Sequence, residues 1–182
     1  MTNGECIFCK IAKKELPARV VYEDKIFIGL LDINPLNPGH TLVIPKQHYR
    51  WVYDVPEFGM YWDVAKLVGL ASMKALGAET VNFVTMGQEV PHAHIHVVPR
   101  FKNDGHGEIP TRATAKPIEE QKMDEIKDKL KEAVDDLINE KAKEMREAEE
   151  AEKEKLKEKE LEEKPVHSEE DIFWMKRQME IG

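Results

Sequence analysis

The chain has 182 residues, of which 34% are charged, and a formal net charge of −8. Its length suits one well-cored domain with an appendage, and the sequence has neither a membrane-spanning apolar run nor a recognisable signal peptide, so we expect a cytoplasmic protein without a membrane partner. Residues 1–115 carry 12 basic and 12 acidic residues, whereas residues 116–182 carry 15 and 23. The neutral first segment argues against broad electrostatic binding of nucleic acid, which needs a basic face.

Both cysteines lie near the start of the chain, in Cys6-Ile7-Phe8-Cys9. A redox pair of this spacing normally follows a strand, and no strand is predicted before this one. In a reducing compartment the motif is more often half of a zinc site. Two further ligands would have to come from histidines downstream.

The residues that follow predict an α+β fold. Apolar residues at helical spacing between Pro56 and Leu76 indicate a long helix that Gly77 ends. Shorter apolar runs separated by turn residues indicate strands, which with short connections suggest an antiparallel sheet. In chain order we predict a helix over 8–15, strands over 19–23, 26–32 and 41–45, a helix over 56–76, and strands over 81–86 and 92–98.

Three histidines alternate with small or apolar residues in the run from Pro91 to Val98. In an extended strand alternate side chains share a face, so His92, His94 and His96 would form a row with about 6.6 Å between neighbours. Such a row on the exposed face of a half-buried strand indicates that the rings bind something; the alternative is a histidine-rich surface strand or an accidental metal-binding run. The proline at residue 99 would end the strand.

The C-terminal third has a different composition. Residues 118–164 contain neither proline nor glycine and predict a long charged helix, whose first part has an apolar face. The run Ser168-Glu169-Glu170-Asp171 would cap a short apolar helix over 172–179, which would dock on its own domain, a dimer mate or another protein. The predicted segments are a domain at 1–115, a charged helical extension at 116–164 and an amphipathic helix at 165–182.

Four motifs occur in a fixed order along the first segment. They are Cys6-Ile7-Phe8-Cys9-Lys10-Ile11, Asp32-Ile33-Asn34-Pro35, the run from Pro38 to His48, and Gly87-Gln88 before His92-x-His94-x-His96. Together they resemble the zinc-containing, nucleotide-binding branch of the histidine triad superfamily over residues 5–101. The resemblance implies an antiparallel sheet with one long and one short helix, here followed by the charged helix and the short terminal helix. It also implies a homodimer with a continuous sheet.

The resemblance implies catalytic roles for four histidines. His94 would attack phosphorus, and water would then hydrolyse the nucleotidyl-histidine. His96 would contact the phosphate or the leaving group, His92 would keep the row in register, and His40 would orient it by hydrogen bonding.

The same resemblance implies a purine nucleotide site. Asp32 would accept hydrogen bonds from the ribose hydroxyls. Backbone N–H groups would stabilise charge on the phosphorus, and apolar side chains would hold the base. The implied nucleotide-binding residues are Ile7, Phe8, Asp32, Ile33, Gln88, Glu89 and Val90.

A structural zinc ion is the implied cofactor. In family members with both cysteines, the metal is held by them, by the histidine after Pro-Lys-x and by the first triad histidine. Here those ligands would be Cys6, Cys9, His48 and His92, a set that suits tetrahedral Zn²⁺ and leaves no open position.

Two features depart from the family pattern. The stretch Val84–Gln88 is shorter than the usual glycine-rich loop, so the polar residue that often touches the phosphate or the leaving group there would be absent or replaced by Thr85. Glu89 stands where many members have Ser or Thr. A carboxylate there would repel a polyphosphate unless it points away or helps to bind a cationic leaving group.

Three functions remain open at this point. The leading hypothesis is an enzyme that releases a nucleoside monophosphate, which we expect to be AMP, from a nucleotide phosphoramidate or a dinucleoside polyphosphate. The second is a nucleotide-binding adaptor whose C-terminal helices bind a protein. The third, a metallohydrolase that uses the three triad histidines as ligands, leaves Cys6 and Cys9 without a role.

Overall fold

The structure is a computed structural model that describes residues 6–162 and 169–179. It confirms the predicted α+β fold: five antiparallel strands form one sheet in the order β1-β2-β3-β5-β4. In chain order the helices and strands are α1 (Ile7–Ala12), β1 (Val20–Glu23), β2 (Phe27–Leu31), β3 (Thr41–Pro45), α2 (Phe58–Leu76), β4 (Thr80–Thr85), β5 (Ile95–Arg100), α3 (Glu120–Glu162) and α4 (Glu169–Met179).

The two faces of the sheet bury different elements. Helix α2 packs against the face that carries Val43, Ile95 and Val97. In this core the Tyr61 hydroxyl donates to the Val43 carbonyl at 2.7 Å, and the Tyr61 ring stacks on Phe27 with centroids 4.9 Å apart. Alternate residues of the same strands point to the opposite face, where α1 packs. The triad therefore shares the α1 side of the sheet, and α2 supports it from behind.

The first part of α3 shares a core with the sheet. Buried apolar side chains of α3, among them Ile126 and Leu130, pack on Val21 and Leu31. Asp124 accepts a hydrogen bond from Arg19 at 2.8 Å beside this core. Residues 1–139 accordingly form one compact unit and residues 140–182 a second one. The boundary at residue 115 reflects charge and stays a prediction.

The described helices of the second unit have mostly charged surfaces, together with some exposed apolar side chains. Lys143 and Glu147 form an i,i+4 ion pair at 3.7 Å. The side chains of Phe173 and Trp174 on α4 are 59% and 61% exposed. Helix α4 includes all residues of the short helix predicted over 172–179, whereas Ser168 of the predicted cap lies outside the described residues. None of the described helices is long and apolar enough to span a membrane, and the cytoplasmic location stays a prediction.

The prediction of a strand over 92–98 was wrong at both ends. Strand β5 begins at Ile95, so only His96 of the triad lies in it. The chain before Ile95 makes hydrogen bonds outside the strand ladder; for example, the Ala93 N–H donates to the Tyr49 carbonyl at 2.8 Å. At the other end Pro99 pairs with β4 beyond the last residue that pairs with β3, where a proline is tolerated.

The triad is also less exposed than predicted. His92, His94 and His96 are all buried, and the rings of His94 and His96 lie 4.9 Å apart.

Helix α1 is shorter than the helix predicted over residues 8–15. The helix ends at Ala12 because Lys14 adopts a left-handed conformation with φ 62°, and the Glu15 N–H then donates to the Lys10 carbonyl at 2.8 Å.

Candidate active site

His40 and His96 form a hydrogen-bonded relay with one defined pair of tautomers. The Leu36 backbone N–H donates to His40 Nδ1 at 3.1 Å. Burial lowers the pKa of His40 to about 3, so the ring is neutral at pH 7 and carries its proton on Nε2. That N–H donates to His96 Nδ1 at 3.0 Å. Burial and the neighbouring His40 lower the pKa of His96 to about 3 as well, which places its proton on Nε2.

His96 Nε2 is the atom that the relay leaves available. It is buried and has no hydrogen-bond partner among the described residues. Such orphaned buried donors are rare and need an explanation, of which a substrate atom is one. The relay therefore presents an N–H group to whatever binds beside the triad.

His94 is held in the opposite tautomer. Its Nδ1 lies 2.7 Å from the His92 carbonyl oxygen, which can only accept, so Nδ1 carries the proton. Burial lowers the pKa of His94, so the ring is neutral and Nε2 has a free lone pair. Phe8 packs against the ring with centroids 5.4 Å apart. The site thus places a nucleophilic nitrogen next to an N–H donor.

Cys6, Cys9, His48 and His92 form a group that could hold a metal, with one ligand atom from each within 4.8 Å of the others. His92 Nε2 donates to the Pro45 carbonyl at 2.9 Å, which leaves His92 Nδ1 unprotonated and 3.3 Å from Cys6 Sγ. Cys9 Sγ lies 3.2 Å from His48 Nδ1. Tetrahedral zinc with Zn–S about 2.3 Å and Zn–N about 2.0 Å separates such ligands by about 3.5 Å, so the donor set fits zinc.

The Cys9 thiol keeps its proton at pH 7 while no cation is bound. Burial and the hydrogen bond with Cys6 raise the pKa of the Cys9 thiol to about 11. A bound divalent cation would favour the thiolate.

A second group of potential ligands, Asp32, His40 and His96, is explained without a metal. Both nitrogens of His40 are taken by the relay. Asp32 is 6% exposed, and its Oδ1 accepts the Asn34 N–H at 2.9 Å. Its other oxygen, Oδ2, lies 3.6 Å from His40 Nδ1. A carboxylate in this position can accept hydrogen bonds from a ligand beside the triad.

The structure places the remaining predicted nucleotide residues in two groups. Phe8 and Val90 belong to one apolar cluster beside the triad. The others are exposed: Ile7 is 45% and Ile33 78% exposed, and Gln88, Glu89 and the suspected Thr85 also face solvent.

Four residues near the site were missed by sequence reasoning. Arg50 donates to the Gly87 carbonyl at 2.6 Å and lies 3.8 Å from the centre of the Trp51 ring. These two line a cavity of about 180 Å³ together with His94. Gly87 is the sequence signal that points to this contact, because a Cβ at this position would lie 2.5 Å from the Trp51 ring. The other two missed residues, His106 and Arg112, belong to the loop that follows β5.

This post-strand loop, residues 101–115, is tied back to the site. Arg100 Nε binds Asp104 Oδ2 at 2.7 Å, which fixes the start of the loop. His106 Nε2 then donates to the Leu36 carbonyl at 2.8 Å, across 70 residues of sequence. Arg112 Nη2 lies 3.5 Å from Glu89 Oε2. Because the contact is made by a loop that returns from far along the chain, no spacing motif could reveal it.

Comparison with known proteins agrees with this geometry. A family model described as HIT domain matches residues 13–103. An uncharacterized HIT-like protein of Methanocaldococcus jannaschii is 45% identical over 108 residues, which cover 55% of this chain and 82% of that protein. Adenosine 5′-monophosphoramidase of Saccharomyces cerevisiae is 35% identical over 103 residues, or 54% of this chain and 64% of that protein.

A solved structure is similar over a longer part of the chain. The crystal structure of a zinc-bound histidine triad family protein from Mycobacterium smegmatis has a TM-score of 0.64 and 32% sequence identity. It covers 75% of this chain and 98% of that one. The family model, in contrast, ends before most of the post-strand loop and all of α3.

Proposed function

The chain belongs to the histidine triad (HIT) family, and from that premise we propose that it hydrolyses nucleotides at the α-phosphorus and releases a nucleoside monophosphate. The observation that carries the proposal is the pair of opposite tautomers at His94 and His96. One ring offers a lone pair and its neighbour offers an N–H, as in-line attack on a phosphoryl group requires. The yeast relative named adenosine 5′-monophosphoramidase supports AMP as the product.

The first chemical step forms a nucleotidyl-histidine. His94 Nε2 attacks phosphorus, the bond from phosphorus to the leaving group breaks, and its electron pair departs with the leaving group. The His96 N–H donates a hydrogen bond to the phosphoryl group or the leaving atom. Because its ring is neutral and its pKa is near 3, His96 acts through this hydrogen bond rather than as a proton donor. An amine leaving group takes the proton that it needs from solvent, and an oxyanion departs without one.

The second step returns the enzyme to its starting state. Water attacks phosphorus, the phosphorus–nitrogen bond breaks, and its electron pair returns to His94 Nε2 while the water proton goes to solvent. In the intermediate the His94 ring is a cation, which the His92 carbonyl stabilises through Nδ1–H. The carboxylates of Asp32 and Glu89 also favour the charged ring.

Nucleotide binding follows from the same face. We propose that Asp32 binds the ribose hydroxyls and that Phe8, Val90 and the exposed Ile7 and Ile33 contact the base. Gln88, Glu89 and Val90 would offer backbone N–H groups to the phosphate. The burial of Asp32 and Phe8 beside His94 supports this arrangement.

We also propose that Cys6, Cys9, His48 and His92 hold a structural zinc ion. The ion would join α1 to the chain before β5 and fix the ring of His92, with no role in the chemical steps. The zinc-bound relative and the donor geometry support this. One zinc per chain by elemental analysis, lost in Cys9→Ser, is the expected result; a metal-free wild type purified with zinc present would contradict it.

The test of catalysis compares two substrates and two variants. AMP release is measured from adenosine 5′-phosphoramidate and from diadenosine tetraphosphate. His94→Asn keeps a donor for the His92 carbonyl but lacks the nucleophile, and His94→Ala lacks both. We expect both variants to lose turnover, and His94→Asn to keep more of the wild-type melting temperature than His94→Ala. Unchanged turnover in His94→Asn would refute the proposal.

A homodimer through β4 and α2 is proposed as the assembly. Strand β4 lies at an edge of the described sheet. Leu70, Met73 and Phe83 near that edge are each more than 40% exposed. Light scattering should give twice the chain mass for the wild type and for the control Leu156→Lys, and the single mass for Phe83→Lys. A monomeric wild type would contradict the assembly.

The exposed apolar side chains of α4 favour a second candidate, a nucleotide-binding adaptor. Phe173 and Trp174 are more than half exposed, and such side chains are enriched at protein interfaces. An adaptor would bind AMP in the same site and have negligible wild-type turnover. The turnover assay therefore separates the two functions.

A further inference from the structure

Glu89 and Arg112 face each other at the side of the triad. Glu89 lies three residues before His92, and Arg112 lies in the post-strand loop. Arg112 Nη2 is 3.5 Å from Glu89 Oε2, and the two side chains are 55% and 81% exposed. One positive and one negative side chain therefore meet beside the reacting histidines and are open to solvent.

The loop that carries Arg112 is fixed to the catalytic relay. His106 Nε2 donates to the carbonyl of Leu36, whose N–H donates to His40. Thr114 Oγ1 lies 2.5 Å from His106 Nδ1, so the chain on the far side of Arg112 is tied to the same histidine. The guanidinium is thus carried by a segment anchored on both sides next to the relay.

Electrostatics agree with this placement. Burial is the main cause of the low pKa values of His40 and His96, and the positive charge of Arg112 lowers both further. Glu89 acts on the other ring, since its charge favours the protonated form of His94. The charge of Arg112 therefore acts on the N–H donor of the triad, and the charge of Glu89 acts on the nucleophile.

The ion pair between Glu89 and Arg112 is weak enough to exchange partners. Exposed pairs contribute little to stability because water screens the charges and the long side chains lose freedom. A charge-assisted hydrogen bond to an oxyanion is about twice as strong as a neutral one, and arginine matches the fork geometry of such anions. An anion that reaches this position can therefore displace the Glu89 carboxylate from Arg112.

We propose that Arg112 is a specificity-determining residue that selects nucleotide substrates whose leaving group departs as an oxyanion, such as sulfate or phosphate. The proposal rests on the proposed function and names its substrate class. Glu89 opposes the selection, because it competes for the guanidinium and repels the anion.

The chemistry gives the guanidinium a role in the first step. His94 Nε2 forms its bond to phosphorus while the bridging phosphorus–oxygen bond breaks, and both electrons leave with the oxygen. A sulfate departs as a dianion and needs no proton, so a fixed positive charge is what stabilises it. Ammonia released from a phosphoramidate must instead gain a proton, and it gains nothing from Arg112.

The test compares adenosine 5′-phosphosulfate with adenosine 5′-phosphoramidate, using AMP release by the full-length protein. The measured quantity is the ratio of the two kcat/KM values, sulfate over amide. We expect Arg112→Gln to lower this ratio by about tenfold to a hundredfold, the range of one charge-assisted hydrogen bond, and Arg112→Lys to restore part of it. Lys116→Gln removes the same charge from an exposed residue nearby and should keep the wild-type ratio.

Glu89→Gln gives an independent reading, which does not depend on how well the Arg112 variants fold. It should raise the ratio, because the competitor of the leaving group is gone. An unchanged ratio in Arg112→Gln, or an equal fall in Lys116→Gln, overturns the role of Arg112. Failure of the proposed function looks different: the wild type then releases AMP from neither substrate, or releases it equally well with His94→Asn.

Discussion

Leu130 joins the charged extension to the core, and Leu130→Ala tests that junction. The side chain is fully buried among Val21, Leu31 and the α2 residue Ala71. The substitution removes three carbon atoms, or about 2.5 kcal/mol at roughly 0.8 kcal/mol per buried methylene. The cavity left behind adds to this, so the free energy of unfolding should fall by about 2–5 kcal/mol.

Leu156→Ala is the matched control, because it makes the same change in the same helix. Leu156 is 59% exposed, so its truncation should change the free energy of unfolding by less than about 0.5 kcal/mol. Urea titrations followed by circular dichroism give both values, provided the slopes with urea agree. Equal effects of the two substitutions would refute the assignment of Leu130 to the core.

Truncated chains extend this test to the predicted domain boundary. A chain that ends after Asn139 keeps the apolar face of α3 and should unfold at the wild-type urea midpoint. A chain that ends after Ala115 bares Val21 and Leu31 and should unfold at a lower midpoint. A wild-type midpoint for the shorter chain would support the boundary at residue 115 as a true domain edge.

Three further predictions concern the site. Burial lowers the pKa of His40 from 6.5 to about 3, so the unfolded chain binds more protons between these values and stability falls as the pH drops below about 6.5, by up to about 1.4 kcal/mol per pH unit; His40→Asn should show a shallower slope in urea titrations at successive pH values, and an equal slope would count against the assignment. A chelator should lower the urea midpoint of the wild type by removing zinc and leave that of Cys9→Ser unchanged; a matching fall in both would argue against the site. Gly87→Ala should destabilise the protein by about 1–3 kcal/mol, because the new Cβ would lie 2.5 Å from Trp51, whereas at Gly59 it would meet nothing within 4 Å; thermal unfolding of both alanine variants compares them, and similar melting temperatures would contradict the close packing.

The sequence was sufficient for the fold, and the family resemblance was sufficient for the four residues of the candidate metal group. The apolar periods located each described helix and strand to within a few residues. Cys6, Cys9, His48 and His92 meet although 83 residues separate the second cysteine from the last histidine. The cysteine spacing indicated half of a metal site, and the resemblance to the family supplied the two histidines.

The geometry of segments outside helices and strands could not be predicted from the sequence. The alternation at His92, His94 and His96 looks like a strand, yet the first two are held by hydrogen bonds outside the ladder. Periodicity shows which residues alternate in polarity, but it carries no information about hydrogen bonds to residues elsewhere in the chain. Arg112 was missed for a related reason, since a loop fixed by His106 delivers it and the sequence there shows no period.

Leu36 gives the protein a built-in reporter. Its N–H is held by His40 and its carbonyl by His106, so this one residue joins the His40–His96 relay to the post-strand loop. In a nitrogen-15 nuclear magnetic resonance spectrum, the Leu36 amide signal would register protonation of the relay. The signal of Asn37, whose N–H shares a peptide group with the Leu36 carbonyl, would register displacement of the loop when a ligand takes Arg112 from Glu89. The two processes could then be followed at two adjacent amides, without a label on either histidine.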